Sequence, residues 1–470
     1  MGKVEEFMRK SPEIMKKCLG GLDYDKFRFG KIGFNYEGLM SSIGYSIEDV
    51  GKILKETKVG NTPMYELKNL NRVIKKISRK GFGAKILLKD EAANASGSFK
   101  SRRAALSVYE AKKKGYEGVI AETSGNYGAA VASQAAQRNL KCIIVQEVFD
   151  SKGIGQPEIL EKGRKCEAYG AEVWQLTVGP ELFYWALVLL DETGYFNASL
   201  YTPYGIKGIE TLGYEIGIEV KEKYGRCPDY VLVTHAGGGN VTGTARGLME
   251  AGCKDTKIIG VSVDLRGLHM ASDYDFNRKS FTTGHTGFGV PFAINPDRVD
   301  VPINAARPLR YMDRYLLVSQ GEVFYTTILL AQIEGIERGP AGNTSLSAAI
   351  PFARELPEDK IIVVQETEYT GAGKHPYAQL TFAEEMEIEV TIGNPKDNIP
   401  GKKIVIPEDV KELGFEEYPM EDIKGSYLKH RLKGIDEISS EELRFLKEEV
   451  KDGGDFVEKF LFEKGVKINA

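Results

Sequence analysis

From residue 84 to 263 the chain alternates strand-sized apolar runs with helix-like stretches so regularly that a layered α/β architecture is the natural fold for it. Strands are predicted at 84–89, 118–122, 140–147, 171–177, 229–234 and 257–263. Helices are predicted at 102–114, 127–138, 155–169, 180–191, 206–223 and 241–250. A strand followed by a helix and another strand favours parallel pairing, so this rhythm predicts mostly parallel sheets with helices on both faces. It resumes with a strand at 316–319, a helix at 321–337 and a strand at 360–365. The intervening 264–314 is rich in Gly, Pro, Asp and Arg and reads either as a covering loop or as a surface connection. Short charged helices, including Val4–Leu19 and Ser46–Thr57, precede this body. Beyond 390 the chain becomes more charged, with an amphipathic helix over 437–463 broken at Gly453 and Gly454. Periodicity alone establishes the α/β class and no more.

Three Gly-rich turns lie where these strands hand over to helices, the place where α/β proteins usually bind ligands. Ser-Gly-Ser-Phe-Lys at 96–100 follows the apolar run Ile86–Leu88 and presents Lys100 ahead of the helix predicted from about Arg102. A lysine fixed at such a junction can hold an aldehyde cofactor as a Schiff base if positive neighbours or desolvation keep part of it unprotonated. The plain alternative is a solvated lysine at a helix start. The turn Glu122–Gly128 offers the hydroxyls of Thr123 and Ser124, the N–H of Gly125 and the amide of Asn126. That set suits a carboxylate, with Asn126 reaching a cofactor's phenolic oxygen, or it simply caps a helix. In His235–Asn240 the glycines Gly237, Gly238 and Gly239 let backbone N–H groups converge at another helix N-terminus, together with Asn240, as a phosphate cup. The Gly-Lys-Ser/Thr ending of a nucleoside triphosphate loop and the dinucleotide fingerprint are both missing, so a monophosphate fits better. A tight turn is the other use of such glycines.

Composition narrows the partners. The 470 residues, 42% hydrophobic and 28% charged, are enough for at least two cores, and a formal charge of −4 creates no field to attract nucleic acid. Apolar runs are strand-sized and Met1–Glu6 lacks a signal-peptide core, so a cytoplasmic protein with no membrane partner is expected. Cysteines 18, 142, 166, 227 and 253 match no zinc or redox spacing and are expected to be buried thiols. The five histidines form no pair at helical ligand spacing, so no metal is expected.

Taken in order, the lysine in Ser-Gly-Ser-Phe-Lys, the Thr-Ser-Gly-Asn turn and the Gly-Gly-Gly-Asn cup resemble the fold-type-II, tryptophan-synthase-like family of pyridoxal-phosphate enzymes. Most of the chain, including 235–244, 281–289 and 365–376, is similar to the beta-subunit family of 2-amino-4-ketopentanoate thiolases, which acts in ornithine fermentation with a small alpha subunit. The resemblance implies two mostly parallel sheets flanked by helices, with the cofactor in the cleft between domains. It also implies a large pyridoxal-phosphate domain from 60–103 and 206–390, a small α/β domain at 104–205, and extensions at 1–59 and 391–470. Lys100 would carry the pyridoxal phosphate. Thr123, Ser124 and Gly125 would hold the substrate carboxylate, Asn126 would face the ring hydroxyl, and Gly237, Gly238, Gly239 and Asn240 would hold the phosphate. For the pyridine nitrogen the resemblance favours Thr370, with Thr367 as the other hydroxyl, whereas Glu366 or Glu368 would tune the ring differently.

The reaction implied is thiolysis of 2-amino-4-oxopentanoate by coenzyme A to alanine and acetyl-CoA, with Lys100 as the base at the α-carbon. His285 and His375 are candidates for activating the thiol or holding the C4 oxygen, whereas His235, abutting the cup, is expected to be structural. A small alpha subunit and a dimer of this chain are the implied partners. The alternative on the same cofactor site is a β-elimination, β-replacement or threonine-synthase-like reaction, which needs no coenzyme A. A regulatory protein that kept the fold is the non-enzymatic reading, against which stand the lysine and both turns in one chain.

Overall fold

Two sheets account for the strands predicted from the sequence. The computed structural model describes residues 3–123, 125–179, 181–265, 279–283 and 303–469. The larger sheet has seven strands, in the order Glu416–Tyr418, Arg314–Val318, Lys257–Val263, Tyr230–Thr234, Ile361–Glu366, Lys85–Asp90 and Met64–Glu66. Its five inner strands pair in parallel and the two short edge strands antiparallel. The smaller sheet is parallel throughout, in the order Glu172–Thr177, Lys141–Phe149, Gly118–Thr123 and Phe196–Asn197. Inner strands such as Gly118–Thr123 and Ile361–Glu366 are buried along their whole length, as expected for sheets covered on both faces.

Predicted and observed elements agree closely in this core, but helices Lys68–Ile77, Pro340–Arg354 and Pro376–Glu385 and the short strand Phe196–Asn197 go beyond the prediction. Helix Pro340–Arg354 was not anticipated, because its run of small and apolar residues is buried nearly all round and shows no polar face, and Pro351 interrupts it. The larger sheet also recruits the strand Glu416–Tyr418 from the charged C-terminal region, through pairs such as Leu317 with Glu416. The terminal segments share one core, in which Met15, Phe34 and Tyr36 lie in the same cluster as Tyr427, Phe445 and Leu446. Glu442 accepts the backbone N–H of Ile32 at 2.8 Å, and Arg307 pairs with Glu449 at 2.9 Å, which ties these segments to the body. Among the described residues no helix is long and apolar enough to cross a membrane.

The expectation of five buried thiols is corrected by a disulfide between Cys227 and Cys253, with Cα atoms 5.5 Å apart. Each lies in the connection entering one of the neighbouring strands Tyr230–Thr234 and Lys257–Val263. Parallel pairing brings those two entrances together, a proximity that a 26-residue separation in sequence does not reveal. Cys18, Cys142 and Cys166 are free and buried.

Helix Pro203–Tyr224 sets the spacing of the parts that matter below. Thr202 caps it by accepting from the Gly205 N–H at 3.2 Å, Pro203 occupies its first turn, and Gly225 ends it in the left-handed region at φ 70°. It packs between helix Lys100–Lys113 and helix Gly239–Glu250 at backbone distance. A Cβ on Gly208 would lie 2.2 Å from the Arg102 carbonyl oxygen, one on Gly213 2.0 Å from that of Thr244, and one on Gly247 1.9 Å from that of Glu210. Adding a methyl group at Gly247 therefore requires two helices to move apart. Gly247→Ala should cost about 1–3 kcal/mol in urea denaturation. Gly51→Ala, in a helix where nothing lies within 4 Å of the added Cβ, should be neutral or stabilising by up to ~1 kcal/mol. Equal behaviour of the two variants would remove the argument for backbone-distance packing.

Candidate active site

Strands Lys85–Asp90, Gly118–Thr123, Tyr230–Thr234 and Ile361–Glu366 all direct their carboxyl ends to the cleft between the sheets. The segments that follow them line one cavity, which contains Lys100, Arg103, Thr123, Gly125, Asn126, Gly237, Gly238, Gly239, Asn240, Thr367 and Glu368. The three junctions singled out in the sequence thus meet in space.

Lys100 is the first residue of its helix, two positions earlier than predicted. The turn before it is fastened to the end of strand Ile361–Glu366: Phe99 N–H donates to the Thr367 carbonyl at 3.1 Å and Tyr369 N–H to the Gly97 carbonyl at 2.8 Å. Burial, with the cations Arg103 and Lys162 nearby, holds the Lys100 amine well below the usual lysine range, against the pull of Glu368. This is the arrangement of an amine able to act as nucleophile and base near neutral pH.

In the second turn Thr123 is used locally. Its Oγ accepts from the N–H groups of Gly125 at 2.9 Å and Gly128 at 3.2 Å, the capping role weighed above. Gly125 and Asn126 line the cavity, and a Cβ on Gly125 would meet Lys162 Nζ at 3.0 Å. Ser124 lies outside the described residues, as do His285 and much of the proposed covering loop. Thr283, just before that part of the loop, does line the cavity.

The third turn, Gly237 to Asn240, lines the cavity at a helix N-terminus. Gly238 adopts φ +81°, and a Cβ there would strike Pro308 at 2.4 Å, so both conformation and space call for glycine. Helix Gly239–Glu250 begins here, with its first N–H groups turned to the cavity end. Asn240 Nδ2 is buried without a hydrogen-bond partner among the described residues. His235 packs edge-to-face on Tyr315 with centroids 5.2 Å apart, and its carbonyl accepts from Ser262 at 2.8 Å, consistent with the structural role expected of it.

The opposite wall is a buried cluster of charges that the motifs did not reveal. Asn126 and Lys374 both donate to Glu368, and Lys162 donates to Glu158. Lys162 is 3.9 Å from Glu368 and Lys374 is 3.7 Å from Glu158, so two cations and two carboxylates close on one another. Burial raises the Glu368 carboxyl, but Lys374 and Lys162 outweigh it and hold the group below the usual range. Glu366, by contrast, has no hydrogen-bond partner for either oxygen among the described residues. Burial, with the charges of Glu368 and Asp90, pushes its carboxyl well above the usual carboxylate range.

Two expected residues stand apart from this wall. Thr367 lines the cavity and Thr370 does not. His375 caps the helix Pro376–Glu385 through Nδ1, stacks on Tyr377 and faces Glu337 at 3.9 Å, with 41% of its side chain exposed. The residues missed in the sequence include Lys162, Lys374, Glu158 and Arg103. The spacing of Glu158 and Lys162 announced only a helix-face ion pair. Arg103 stands three positions after Lys100, the interval that puts two side chains on one helix face.

Residues 55–368 match the family described as pyridoxal-phosphate dependent enzyme. The chain is 62% identical over 463 residues to a 2-amino-4-ketopentanoate thiolase beta subunit from an unknown prokaryotic organism, covering 98% of each chain. It is 57% identical over 452 residues to the same-named subunit of Acetoanaerobium sticklandii, covering 96% of each. Among solved structures, a pyridoxal 5'-phosphate-dependent aspartate racemase shares the fold with a TM-score of 0.56 at 18% identity, covering 71% of this chain and 98% of that one. The cleft between two parallel sheets, its lysine and its glycine cup therefore have a family: this chain belongs to the pyridoxal-phosphate dependent enzymes and, within them, to the 2-amino-4-ketopentanoate thiolase beta subunits.

Proposed function

We propose that the chain is the cofactor-bearing subunit of a thiolase that cleaves 2-amino-4-oxopentanoate with coenzyme A to give alanine and acetyl-CoA. The observation that carries this reading is the convergence of Lys100, the Asn126 turn and the glycine cup on one cavity, in a chain 62% identical to a subunit of that name.

The residues present fit pyridoxal phosphate. The cup offers an unpartnered buried donor on Asn240, and the Lys100 amine is displaced toward its free base. Lys100 would hold the aldehyde carbon, Gly237 to Asn240 the phosphate, and Asn126 the ring hydroxyl. Thr367, at the cavity wall, is better placed than Thr370 for the pyridine nitrogen. When bound, the cofactor supplies a conjugated ring that accepts the electron pair released at the amino acid's α-carbon.

The chain's own groups do the positioning and proton handling. Gly125, with Thr123, Ser124 and Asn126, receives the substrate carboxylate, and Lys162, paired with Glu158, lies beside Gly125. Lys100 removes and returns the proton at the α-carbon. Thiolate addition at the C4 carbonyl forms the carbon–sulfur bond as C3–C4 breaks, and protonation of C3 completes the methyl group of alanine. His375 stands off the cavity, which leaves His285 and the small alpha subunit to activate the thiol and hold the C4 oxygen. The alpha subunit is assembled on a dimer of this chain.

Borohydride treatment of the loaded protein, followed by peptide mapping, should fix the cofactor on Lys100, and Lys100→Ala should abolish turnover while leaving a folded protein. Because burial and two cations lower the Lys100 amine, cofactor uptake by the apo-protein should rise with pH and level off well below 10.5, the ordinary lysine value. Uptake that climbs only near that value would contradict the lowered amine.

The subunit assignment is tested by supplying 2-amino-4-oxopentanoate and coenzyme A to this chain with and without the small alpha subunit. Acetyl-CoA and alanine should form in equal amounts, and only when both subunits are present. Turnover of O-substituted serines or phosphohomoserine with no coenzyme A-dependent product would replace this reading with a lyase-type one.

A further inference from the structure

Helix Lys100–Lys113 opens with two adjacent arginines whose surroundings differ sharply. Arg102 is fully buried and fully engaged: it donates to Glu91 at 2.7 Å, to Glu215 at 2.7 Å and to Thr211 at 3.0 Å. Arg103 is 2% exposed, yet its Nε and Nη2 have no hydrogen-bond partner among the described residues. The guanidinium faces the ring of Tyr201 with 5.9 Å to the centroid. An arginine buried without a counter-charge costs several kcal/mol, and such a group in a cavity wall calls for an anionic ligand.

Its position identifies which anion. Arg103 lines the same cavity as Lys100 and the glycine cup, and a Cβ added to Gly239 would lie 1.3 Å from Arg103 Nη2. The guanidinium therefore packs against the cup at Gly239, in space that only a glycine there leaves free. There it joins the first N–H groups of the twelve-residue helix Gly239–Glu250 and the unpartnered Nδ2 of Asn240. All three are donors, and the arginine and the helix N-terminus are both positive. They repel one another unless a negative group lies between them.

We propose that Arg103 is a phosphate-binding residue, supplying the charged partner of the cofactor phosphate in the glycine cup. This rests on the cofactor reading above and adds to it a side-chain cation in a cup otherwise made of backbone and Asn240. A guanidinium gives the phosphate a fixed charge and directional donors that backbone N–H groups alone do not provide. Lys100 and Arg103, three residues apart on one helix face, then hold the two ends of the same ligand, the aldehyde carbon and the phosphate.

The test compares pyridoxal phosphate with pyridoxal, which lacks only the phosphate, so any effect on Lys100 or on the ring site cancels in the ratio of their affinities. Full-length apo-protein of the wild type, Arg103→Met and Arg103→Lys is titrated with each compound, and the dissociation constants are read from the absorbance of the bound chromophore. The preference for pyridoxal phosphate should fall by roughly ten- to a hundredfold in Arg103→Met, the loss expected for a charge-assisted hydrogen bond, and should be partly regained in Arg103→Lys. If Arg103→Met does not fold, Arg103→Gln, similar in reach without the charge, takes its place. Phosphorus NMR of the bound cofactor gives a second readout: a shift constant with pH in the wild type, and a titrating one in the uncharged variant. An unchanged preference, or parallel loss of both ligands, would overturn the role of Arg103. A wild-type protein that binds neither compound would instead overturn the cofactor reading.

Discussion

The carbonyl oxygens of Arg102, Glu210 and Thr244 approach Gly208, Gly247 and Gly213 so closely that no side chain fits between them, and this fixes the separation of three helices. Helix Pro203–Tyr224 is the spacer. On one side it meets the helix that starts at Lys100, and on the other the helix that starts at the glycine cup. A ligand held by an amine at one end and a phosphate cup at the other requires a constant distance between them. Backbone-to-backbone contact provides it more rigidly than interdigitating side chains, which can change rotamer. The sheets set the direction of the strand ends, and the glycines set how far apart the helices begin.

Charge is distributed around the cavity with the same economy. On one wall Lys162, Lys374, Glu158 and Glu368 form a closed set in which each buried charge has an opposite neighbour. On the other side Lys100 and Arg103 have no carboxylate of their own within hydrogen-bonding reach among the described residues. Arg103 thus leaves a buried positive group beside the cup, a charge that an anionic ligand bound there would balance.

Most of this was legible where the information is local. Lys100, Asn126 and Gly237 to Asn240 each sit in a turn between a strand and a helix, and both the periodicity and the glycines announce such turns. The long inner strands of both sheets and the helices that follow most of them were legible because buried parallel strands and their connecting helices differ in length and residue type. Contacts between distant segments were not legible. Lys374 meets Glu158 across more than two hundred residues, and no spacing rule reaches that far. Cys227 and Cys253 lie at the entrances of two strands whose neighbourhood exists only once the sheet has formed. Helix Pro340–Arg354 was hidden for the opposite reason: it is so thoroughly enclosed that its sequence carries no amphipathic alternation. Thr367 lines the cavity and Thr370, favoured by resemblance, does not, because side chains three residues apart in an irregular loop need not face the same way.

Arg102 and Arg103 show why a motif cannot by itself separate structure from function. Side chains advance about 100° per residue around a helix. Arg103 therefore returns close to the direction of Lys100, while Arg102 points to the other side, toward Glu91 and Glu215. The same residue type at consecutive positions becomes, in one case, an anchor that binds the lysine helix to its scaffold through Glu215 of the spacer helix and, in the other, a positive group at the mouth of the glycine cup. The anchor is complete without a ligand. The second arginine is not, and the close approach of its guanidinium to Gly239 gives that glycine a second purpose beyond shaping the turn, since any side chain there would displace the cation from the cup.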